Sequence, residues 1–251
     1  MYAAGLTAVG LVRNHNEDVI FYSTESFGPL PNFFVVADGM GGHNAGEVAS
    51  AKSLEYSSNF ILESKKSKLT NPEDILDILI TAAMQANNSV FELSVSKPAY
   101  YGMGTTFSAC SIIGNTIVIA HIGDSRIYTI SPGNITQVTT DHTYVEEMVK
   151  AGKITREEAR SHSRRNILTR VLGCDSLTPA DGTTYSLEGV NSILLCSDGL
   201  TDMISDEDIM EIINQNTPPK ARAEALVSAA NNNGGKDNIS VIIIDVKGEA
   251  H

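Results

Sequence analysis

The chain has 251 residues and lacks any apolar stretch long enough to cross a membrane. A membrane helix needs a run of roughly 18 apolar residues, so the sequence predicts no membrane segment. The first residues also lack the basic-then-apolar order of a secretory signal, and we expect a cytoplasmic protein. Apolar residues make up 42% of the chain, which suits one domain with a sizeable core over residues 1–251.

Positive charge is scarce in this sequence. Lys and Arg number 18 against 30 Asp and Glu, which gives a formal net charge of -12 at pH 7. Nucleic acids and anionic membranes attract basic surfaces, so this balance excludes both as expected partners. An anionic ligand would have to be attracted by a local group of positive charge.

Cysteine and closely spaced histidine are also scarce. Cys110, Cys174 and Cys196 are odd in number and lack zinc-type spacing, so we expect buried, reduced thiols rather than disulfides or redox centres. No two histidines stand at H-x-H or H-x-x-x-H spacing, which disfavours zinc. A metal site in this chain would have to use oxygen ligands.

Strand and helix patterns occupy different parts of the chain. Apolar runs rich in Val, Ile and Phe predict strands at 33–37, 106–113, 116–122, 126–130, 192–197 and 239–246. Helices are predicted at 45–63, at 72–94 after Asn71, from Ser205, and from Thr217. Short turns such as Gly114-Asn115 indicate antiparallel neighbours. Clustered strands with helix pairs outside them favour a layered α+β fold of two sheets.

Residues 141–180 differ from the rest of the chain. They contain a capping box that begins at Thr155, a basic stretch at 161–166 and a glycine turn at Gly173. This composition indicates an excursion from the core. A solvated helical insertion and a flap that faces the substrate are both open interpretations.

Aspartates recur where an apolar strand meets a turn. Asp38 follows FFVVA, Asp124 follows IVIAHIG, Asp198 follows ILLCS, and Asp237 precedes NISVIII. A carboxylate at the end of a buried strand is desolvated and needs a positive partner. Mg²⁺ and Mn²⁺ prefer carboxylate, carbonyl and water oxygens. The pattern therefore predicts that these aspartates share metal ions.

Arg13 stands close to two acidic residues in the motif Arg13-Asn-His-Asn-Glu17-Asp18. The planar guanidinium group suits phosphate oxygens, which it can bind with two parallel hydrogen bonds. A structural salt bridge with Glu17 or Asp18 is the alternative interpretation.

Six motifs occur in an order that identifies a family, at residues 13–18, 38–43, 102–106, 121–126, 197–202 and 237–240. From about Leu6 to Val246, the chain resembles a type 2C metal-dependent protein phosphatase of the compact bacterial form. The resemblance implies a four-layer α-β-β-α sandwich of two antiparallel sheets flanked by helix pairs. It also implies a metal cluster at one end of the sheets and a flap subdomain at about 141–180.

The resemblance assigns roles to the aspartates. It implies that Asp38 bridges two Mn²⁺ or Mg²⁺ ions, that the carbonyl of Gly39 is a ligand, and that Asp198 and Asp237 bind the second ion. In bacterial members, Asp198 and the residue corresponding to Asp124 can hold a weaker third ion.

Two further roles follow from the same resemblance. Glu17 or Asp18 completes the metal shell, partly through water, and Arg13 binds the phosphate group. The implied reaction is direct hydrolysis of phosphoserine and phosphothreonine in proteins by water between the two metals, with Arg13 and Asp38 as the catalytic residues. A Ser/Thr kinase is the expected functional opposite, and we expect a monomer.

The leaving-group step departs from the eukaryotic pattern. Met40 stands where eukaryotic relatives carry a histidine that is proposed as the general acid, and a thioether cannot donate a proton. The candidates are a metal-bound water, His43, and His162 of the flap, which would contact substrate if the flap closes.

Other functions are weighed against this interpretation. No cysteine is followed by arginine six positions later, which excludes a cysteine phosphatase. The acids are too widely spaced for a loop-local ion site of the EF-hand type. A catalytically silent module that binds phosphoproteins, and a phosphatase dedicated to one regulator, stay as alternatives.

Overall fold

Two antiparallel β-sheets form the centre of the molecule, which is a computed structural model described over residues 1–41, 45–64 and 67–246. The strands are β1 (Tyr2–Ala8), β2 (Asp18–Ser23), β3 (Phe33–Met40), β4 (Gly104–Thr105), β5 (Phe107–Ile113), β6 (Thr116–Ile122), β7 (Arg126–Ser131), β8 (Asn134–Gln137), β9 (Asp181–Ser186), β10 (Ser192–Cys196) and β11 (Ile239–Asp245). One sheet has the order β1-β11-β10-β7-β8. The other has the order β2-β3-β5-β6-β9, and β4 pairs with β3.

Helices cover the outer faces of both sheets. The helices of the described residues are α1 (Ala45–Glu63), α2 (Pro72–Ser96), α3 (Tyr144–Lys150), α4 (Arg156–Ser161), α5 (Asp198–Thr201), α6 (Asp206–Ile213) and α7 (Pro219–Asn232), with a 3-10 turn at Pro98–Tyr100. The pair α1 and α2 packs on the sheet that contains β3. The pair α6 and α7 packs on the sheet that contains β11. The predicted α-β-β-α sandwich is confirmed.

Strand β3 shows why the central strands read as continuous apolar runs. Phe33 and Val35 belong to the core beneath α1 and α2, whereas Phe34 and Val36 belong to the core between the two sheets. Successive side chains of a strand point to opposite faces, so a strand buried on both faces needs apolar residues throughout. The same arrangement carries Asp38, at the end of β3, to the rim of the core.

Most predicted helix starts are found in the structure. The Asn71 side chain accepts a hydrogen bond from the Glu73 N–H at 3.0 Å and caps α2, with a proline in the first turn. Ser205 and Asp208 form a capping box at the start of α6. The start predicted at Thr217 is wrong by one residue, because Pro218 is the N-cap and α7 begins at Pro219. Consecutive prolines fix φ but hold the first of the pair outside the helical region.

Residues 141–180, all of them described, contribute no strand to either sheet and carry α3 and α4. The single-domain division and the action of this segment as a flap stay predictions. Cys110 and Cys196 are buried free thiols as expected, but Cys174 is exposed, so the expectation of burial is wrong there. In the described ranges, no helix combines the length and apolar character that a membrane crossing requires.

Candidate metal centre

Strand pairing places two carboxylates opposite each other. Strands β2 and β3 are antiparallel, with Asp18 at the start of one directly across from Asp38 near the end of the other. Like charges directly opposite each other destabilise a sheet. The pair is therefore tolerated only with a proton or a cation between the two carboxylates.

The second sheet brings two more aspartates to the same end of the sandwich. Strands β10 and β11 are antiparallel neighbours, so Asp198 after β10 and Asp237 before β11 lie at the same end of this sheet. The Ser197 hydroxyl donates a hydrogen bond of 2.8 Å to Asp18 Oδ2 and so joins the two sheets. The charges of Asp18, Asp198 and Asp237 all act on the carboxyl of Asp38.

The pKa values of several of these acids are raised by burial and by the charges of their neighbours. Burial, followed by the charges of neighbouring carboxylates, raises the pKa of Asp38 and of Asp198 well above the ordinary value. Burial also raises the pKa of Asp18 to about 6 and that of Asp124 to about 7. We call Asp18, Asp38, Asp124, Asp198 and Asp237 the acidic floor. Near neutral pH, its most strongly shifted carboxyl groups hold protons unless another positive charge replaces them.

The donor set fits a hard divalent cation. In the part of the chain that the structure describes, Asp18 Oδ1 is buried and has no hydrogen-bond partner, although a buried carboxylate oxygen normally has one. The side chains that converge are carboxylates, which Mg²⁺ and Mn²⁺ prefer. As the side chains are placed in residues 1–41, 45–64 and 67–246, no three acidic, His or Cys side chains are arranged so that they could hold a metal ion together. Ion binding therefore requires the carboxylates to turn towards one another.

Gly39 lies where the chain has no room for a side chain. Its N–H donates to the Glu17 carbonyl at 3.1 Å, and an added Cβ would lie 2.6 Å from that oxygen and closer still to the carbonyl of Gly46. Burial raises the pKa of Glu17, and the charge of Arg13 opposes that shift. A glycine here lets the start of α1 and the 13–18 loop approach the end of β3 closely.

Arg13 lies at the rim of the acidic floor. Its guanidinium donates a hydrogen bond of 2.7 Å to Asp237 Oδ2, and half of its side chain remains exposed. The alternative salt bridge considered from the sequence involved Glu17 or Asp18, whereas the observed partner comes from the far end of the chain. The guanidinium is thus placed beside the predicted metal ligands, with its outer face open to solvent.

Asn238 holds this loop in place, a role that the sequence analysis missed. Its Nδ2 donates to the carbonyls of Val9 and His15, both at 2.9 Å, and its Oδ1 accepts from the Glu17 N–H at 2.8 Å. The side chain is buried and ties both ends of the loop that carries Arg13 to the start of β11. The position of Asn238 directly after Asp237, within the motif at 237–240, was the sequence feature that could have indicated this role.

Hydroxyl groups fix the backbone of Asp38. Its N–H donates to Thr106 Oγ1 at 2.9 Å, and Thr105 Oγ1 donates to its carbonyl at 2.8 Å. Thr106 and Ser125 share a further hydrogen bond of 2.7 Å between their hydroxyls. These contacts give the two threonines a structural role at the end of β3.

A cavity of about 710 Å³ separates the segment 141–180 from the core. Asp124, Asp198 and Asp202 line the core side, and Arg156, Arg160 and Arg165 line the opposite side. An ion pair of 2.6 Å between Arg165 and Asp202 connects the two sides of this cavity.

The general-acid candidates are placed differently from one another. His162 caps the C-terminus of α4, its Nδ1 accepts from the Arg164 N–H at 3.1 Å, and its ring lies beside Tyr144. Among the described residues, the cavity lining includes Arg160 and Arg165 but not His162. Met40 is exposed and lines a smaller cavity of about 390 Å³. His43 lies outside the described residues.

Comparison with known families decides the affiliation. The family model described as Protein phosphatase 2C matches residues 12–230, which contain Asp18, Asp38, Asp124 and Asp198 but end before Asp237. The chain belongs to the protein phosphatase 2C family. Phosphatases of this family are hydrolases, so the chain is identified as a phosphatase, and the resemblance carried by the six motifs is confirmed.

Curated phosphatases of this family align over nearly the full chain. A protein named "Serine/threonine phosphatase stp" from Listeria monocytogenes is 34% identical over 247 residues, which cover 98% of this chain and 96% of the relative. "Protein phosphatase PhpP" from Streptococcus pneumoniae is 36% identical over 244 residues, 97% of each chain.

Solved structures of protein phosphatase 2C relatives share the fold. The serine/threonine phosphatase Stp1 from Staphylococcus aureus superposes with a TM-score of 0.90 at 32% identity, over 98% of this chain and 95% of that chain. The catalytic domain of the phosphatase PstP, solved in complex with two manganese ions, superposes with a TM-score of 0.82 at 33% identity and covers 97% of both chains.

Proposed function

We propose that this protein hydrolyses phosphoserine and phosphothreonine in proteins, with Mn²⁺ or Mg²⁺ bound at the acidic floor. The observation that carries the proposal is the convergence of Asp18, Asp38, Asp198 and Asp237 at one end of the sandwich, with Arg13 beside them. The relatives named Ser/Thr phosphatases support the substrate class. The two manganese ions in the PstP structure support the cofactor.

The proposed ligand roles follow the placement of the side chains. Asp38 would hold both ions, because it is surrounded by the other carboxylates, and burial followed by their charges raises its pKa. The Gly39 carbonyl, Asp198 and Asp237 are further ligands. Glu17 and Asp18 complete the shell, with the orphaned Oδ1 of Asp18 as the inner candidate.

A third, weaker ion is proposed between Asp124 and Asp198. Both line the cavity beneath the segment 141–180, and the charge of Asp124 adds to burial in raising the pKa of Asp198. Asp124 also lies near the half-buried ion pair of Arg126 with Asp141, whose charges act on its pKa in opposite directions.

The chain's own residues bind and orient the phosphate. Bound divalent cations supply a nucleophilic water near neutral pH and neutralise charge on the phosphoryl oxygens. Arg13 presents a planar fork that suits two of those oxygens once it turns from Asp237. Thr105 and Thr106 have no adjacent base, and all three nearby hydroxyl residues, Thr105, Thr106 and Ser197, are buried and already hydrogen-bonded. No protein nucleophile is needed, and we infer direct hydrolysis.

The cellular setting belongs to the same proposal. The substrates are Ser/Thr-phosphorylated proteins, and a Ser/Thr kinase is the opposing activity. Free thiols at all three cysteines agree with the reducing environment of the cytoplasm. We propose that the protein acts there as a monomer and that the segment 141–180 is a flap over the cleft, with His162 as a contact for larger substrates.

The test is phosphate release from a phosphothreonine peptide by metal-stripped protein, with Mn²⁺ or Mg²⁺ added back. We expect activity only with metal, and a loss of at least about a thousandfold in Asp38→Ala. Asp77→Ala, which removes an exposed carboxylate of α2, is the matched control and should behave as the unaltered protein. Full activity in Asp38→Ala would refute the metal assignment, and metal binding without turnover would indicate a phosphoprotein-binding module.

A further inference from the structure

His142 occupies the point where the flap, defined as residues 141–180, joins the core. The residue is 4% exposed. Its backbone N–H donates to the Gly123 carbonyl at 2.8 Å, and its carbonyl accepts from the Thr169 N–H at 2.8 Å. One residue therefore contacts the turn before Asp124, the entry of the flap and its exit.

The imidazole adds two directional contacts, and they fix its tautomer. Nδ1 lies 3.0 Å from the Gly123 amide nitrogen, which can only donate, so Nδ1 carries no proton. Nε2 therefore carries the proton and donates to Asp181 Oδ2 at 3.0 Å. Burial lowers the pKa of His142, which agrees with a neutral ring.

Asp181, at the start of β9, also binds the exit of the flap. Its Oδ1 accepts a hydrogen bond of 2.5 Å from Arg170. Burial would raise the pKa of Asp181, but the hydrogen bonds from His142 and Arg170 lower it. The Arg170 guanidinium nitrogen also lies 3.3 Å from His142 Nε2. Both nitrogens are donors, so they do not hydrogen-bond to each other and instead share Asp181 as acceptor. Asp181 thus accepts hydrogen bonds from both His142 at the entry of the flap and Arg170 near its exit, which together form the root of the flap.

The Gly123 turn transmits this arrangement to the cleft. Gly123 has a φ of +106°, in the region that favours glycine, and an added Cβ would lie 2.6 Å from Thr106. Its N–H and carbonyl are both bound by His142. The direction of the next residue, Asp124, depends on that peptide unit.

We propose that His142 is a positioning residue that couples the root of the flap to the turn that presents Asp124 to the cleft. The Nδ1 acceptor holds the turn, and the Nε2 donor holds the flap through Asp181. The two nitrogens act on different steps: the turn affects the chemistry at the acidic floor, and the flap root affects the binding of large substrates. Only the kinetic readouts rest on the proposed function.

Two substitutions separate the two nitrogens. His142→Asn retains an acceptor near the position of Nδ1 and loses the reach to Asp181. His142→Gln retains a donor near the position of Nε2 and loses the acceptor for Gly123. Thr184→Ala, on the exposed side of β9, is the control and should match the unaltered protein in every measurement.

The first measurement is amide hydrogen exchange by NMR, which does not require activity. We expect the Gly123 amide to exchange about tenfold faster in His142→Gln than in His142→Asn, because only the former loses its acceptor. The second measurement is Mn²⁺-dependent hydrolysis of p-nitrophenyl phosphate and of a phosphothreonine protein. His142→Gln should lose more kcat on p-nitrophenyl phosphate, by about tenfold, as is usual for residues that orient a metal site. His142→Asn should show the larger rise in KM for the phosphoprotein relative to that for p-nitrophenyl phosphate.

Equal losses in both variants, in proportion to their melting temperatures, would show a purely structural role and overturn the proposal. If neither variant folds, Asp181→Asn provides the test. It should raise KM for the phosphoprotein while the Gly123 amide stays slow to exchange, and the reverse pattern overturns the proposal. Failure of the unaltered protein to hydrolyse either substrate would refute the proposed function instead, and the exchange data would still decide the coupling.

Discussion

Arg13 is neutralised by Asp237 in the structure, yet its outer face is exposed. This placement fits a residue that changes partner when phosphate enters. We predict that Arg13→Ala raises the inhibition constant of inorganic phosphate by about 10- to 100-fold, because a charge-assisted pair of hydrogen bonds is lost. Arg13→Lys, which keeps the charge without the fork, should fall between Arg13→Ala and the unaltered protein.

The measurement is competitive inhibition by phosphate of Mn²⁺-dependent hydrolysis. Lys220→Ala, which removes an exposed positive charge of α7, is the control and should leave the inhibition constant unchanged. An inhibition constant for Arg13→Ala equal to that of this control would mean that Arg13 serves only as the partner of Asp237.

Asn238 supports a second prediction at the residue scale. Asn238→Asp keeps an acceptor for the Glu17 N–H but removes both donors to the loop and adds a charge beside Asp237. We expect kcat/KM to fall by about 10- to 100-fold, as for other residues that orient a ligand set. Asn88→Asp, on the exposed face of α2, adds the same charge elsewhere. Equal kcat/KM in the two variants would remove the positioning role.

The sequence predicted single functional residues better than it predicted their partners. Each aspartate could be identified because a carboxylate beside a buried strand is unusual in itself. The partnership of Arg13 with Asp237 depends on the register of β1 against β11, which joins opposite ends of the chain. Local pattern carries no information on such a pairing.

At the scale of elements, the same cap occurs on two helices with different surroundings. Thr155 and Ser205 each form a capping box, on α4 and α6 respectively. No residue of α4, which is described throughout, is buried, whereas Ile209 of α6 is fully buried in the core. The energetic consequences of losing the cap should therefore differ.

We predict that Ser205→Ala lowers the free energy of unfolding by about 1 kcal/mol, because α6 unfolds with the core. Thr155→Ala should leave global unfolding nearly unchanged and instead speed amide exchange within 156–161. Denaturant titration and hydrogen exchange measure the two effects. Equal losses of global stability would show that α4 is part of the cooperative core.

Edge elements were the ones that the sequence did not predict. Strand β9 is mostly exposed and polar, so it lacks the apolar run that marked the central strands. Strand β1 was likewise missed, because its small and partly exposed residues show no clear alternation. Both strands are held by backbone pairing to β6 and β11, which is a tertiary contact and not a local preference.

At the scale of the whole molecule, layering was predictable because two-sided burial leaves a strong pattern in each central strand. The convergence of Asp18 with Asp38 follows from that layering once β2 and β3 are paired. The coupling through His142 did not follow, since it depends on where a long excursion returns to the core. The acidic end of the sandwich therefore affects both the stability of the fold and the binding of ligands.

The buried carboxyl groups at this end predict how the stability of the metal-free protein depends on pH. The pKa of Asp124 is about 7 in the folded protein, against about 3.9 for an unfolded chain. Between these values the folded state binds the extra proton, so its contribution to stability is complete below about pH 4 and is lost as the pH rises through about 7. Buried His121, with a pKa of about 4 against about 6.5 in an unfolded chain, acts in the opposite direction over most of this range.

A comparison of the protein with Asp124→Asn cancels the contribution of the histidine. With a chelator present, we expect the melting temperatures of the two proteins to be similar at pH 4 and that of Asp124→Asn to be higher by a few degrees at pH 8. The difference arises because only the aspartate must bury its charge as the pH rises. Added Mn²⁺ should narrow the gap at pH 8, because a cation replaces the proton at the acidic floor and stabilises the folded state that binds it. A difference in melting temperature that stays constant from pH 4 to pH 8 would show that Asp124 is ionised at no cost and needs no positive partner.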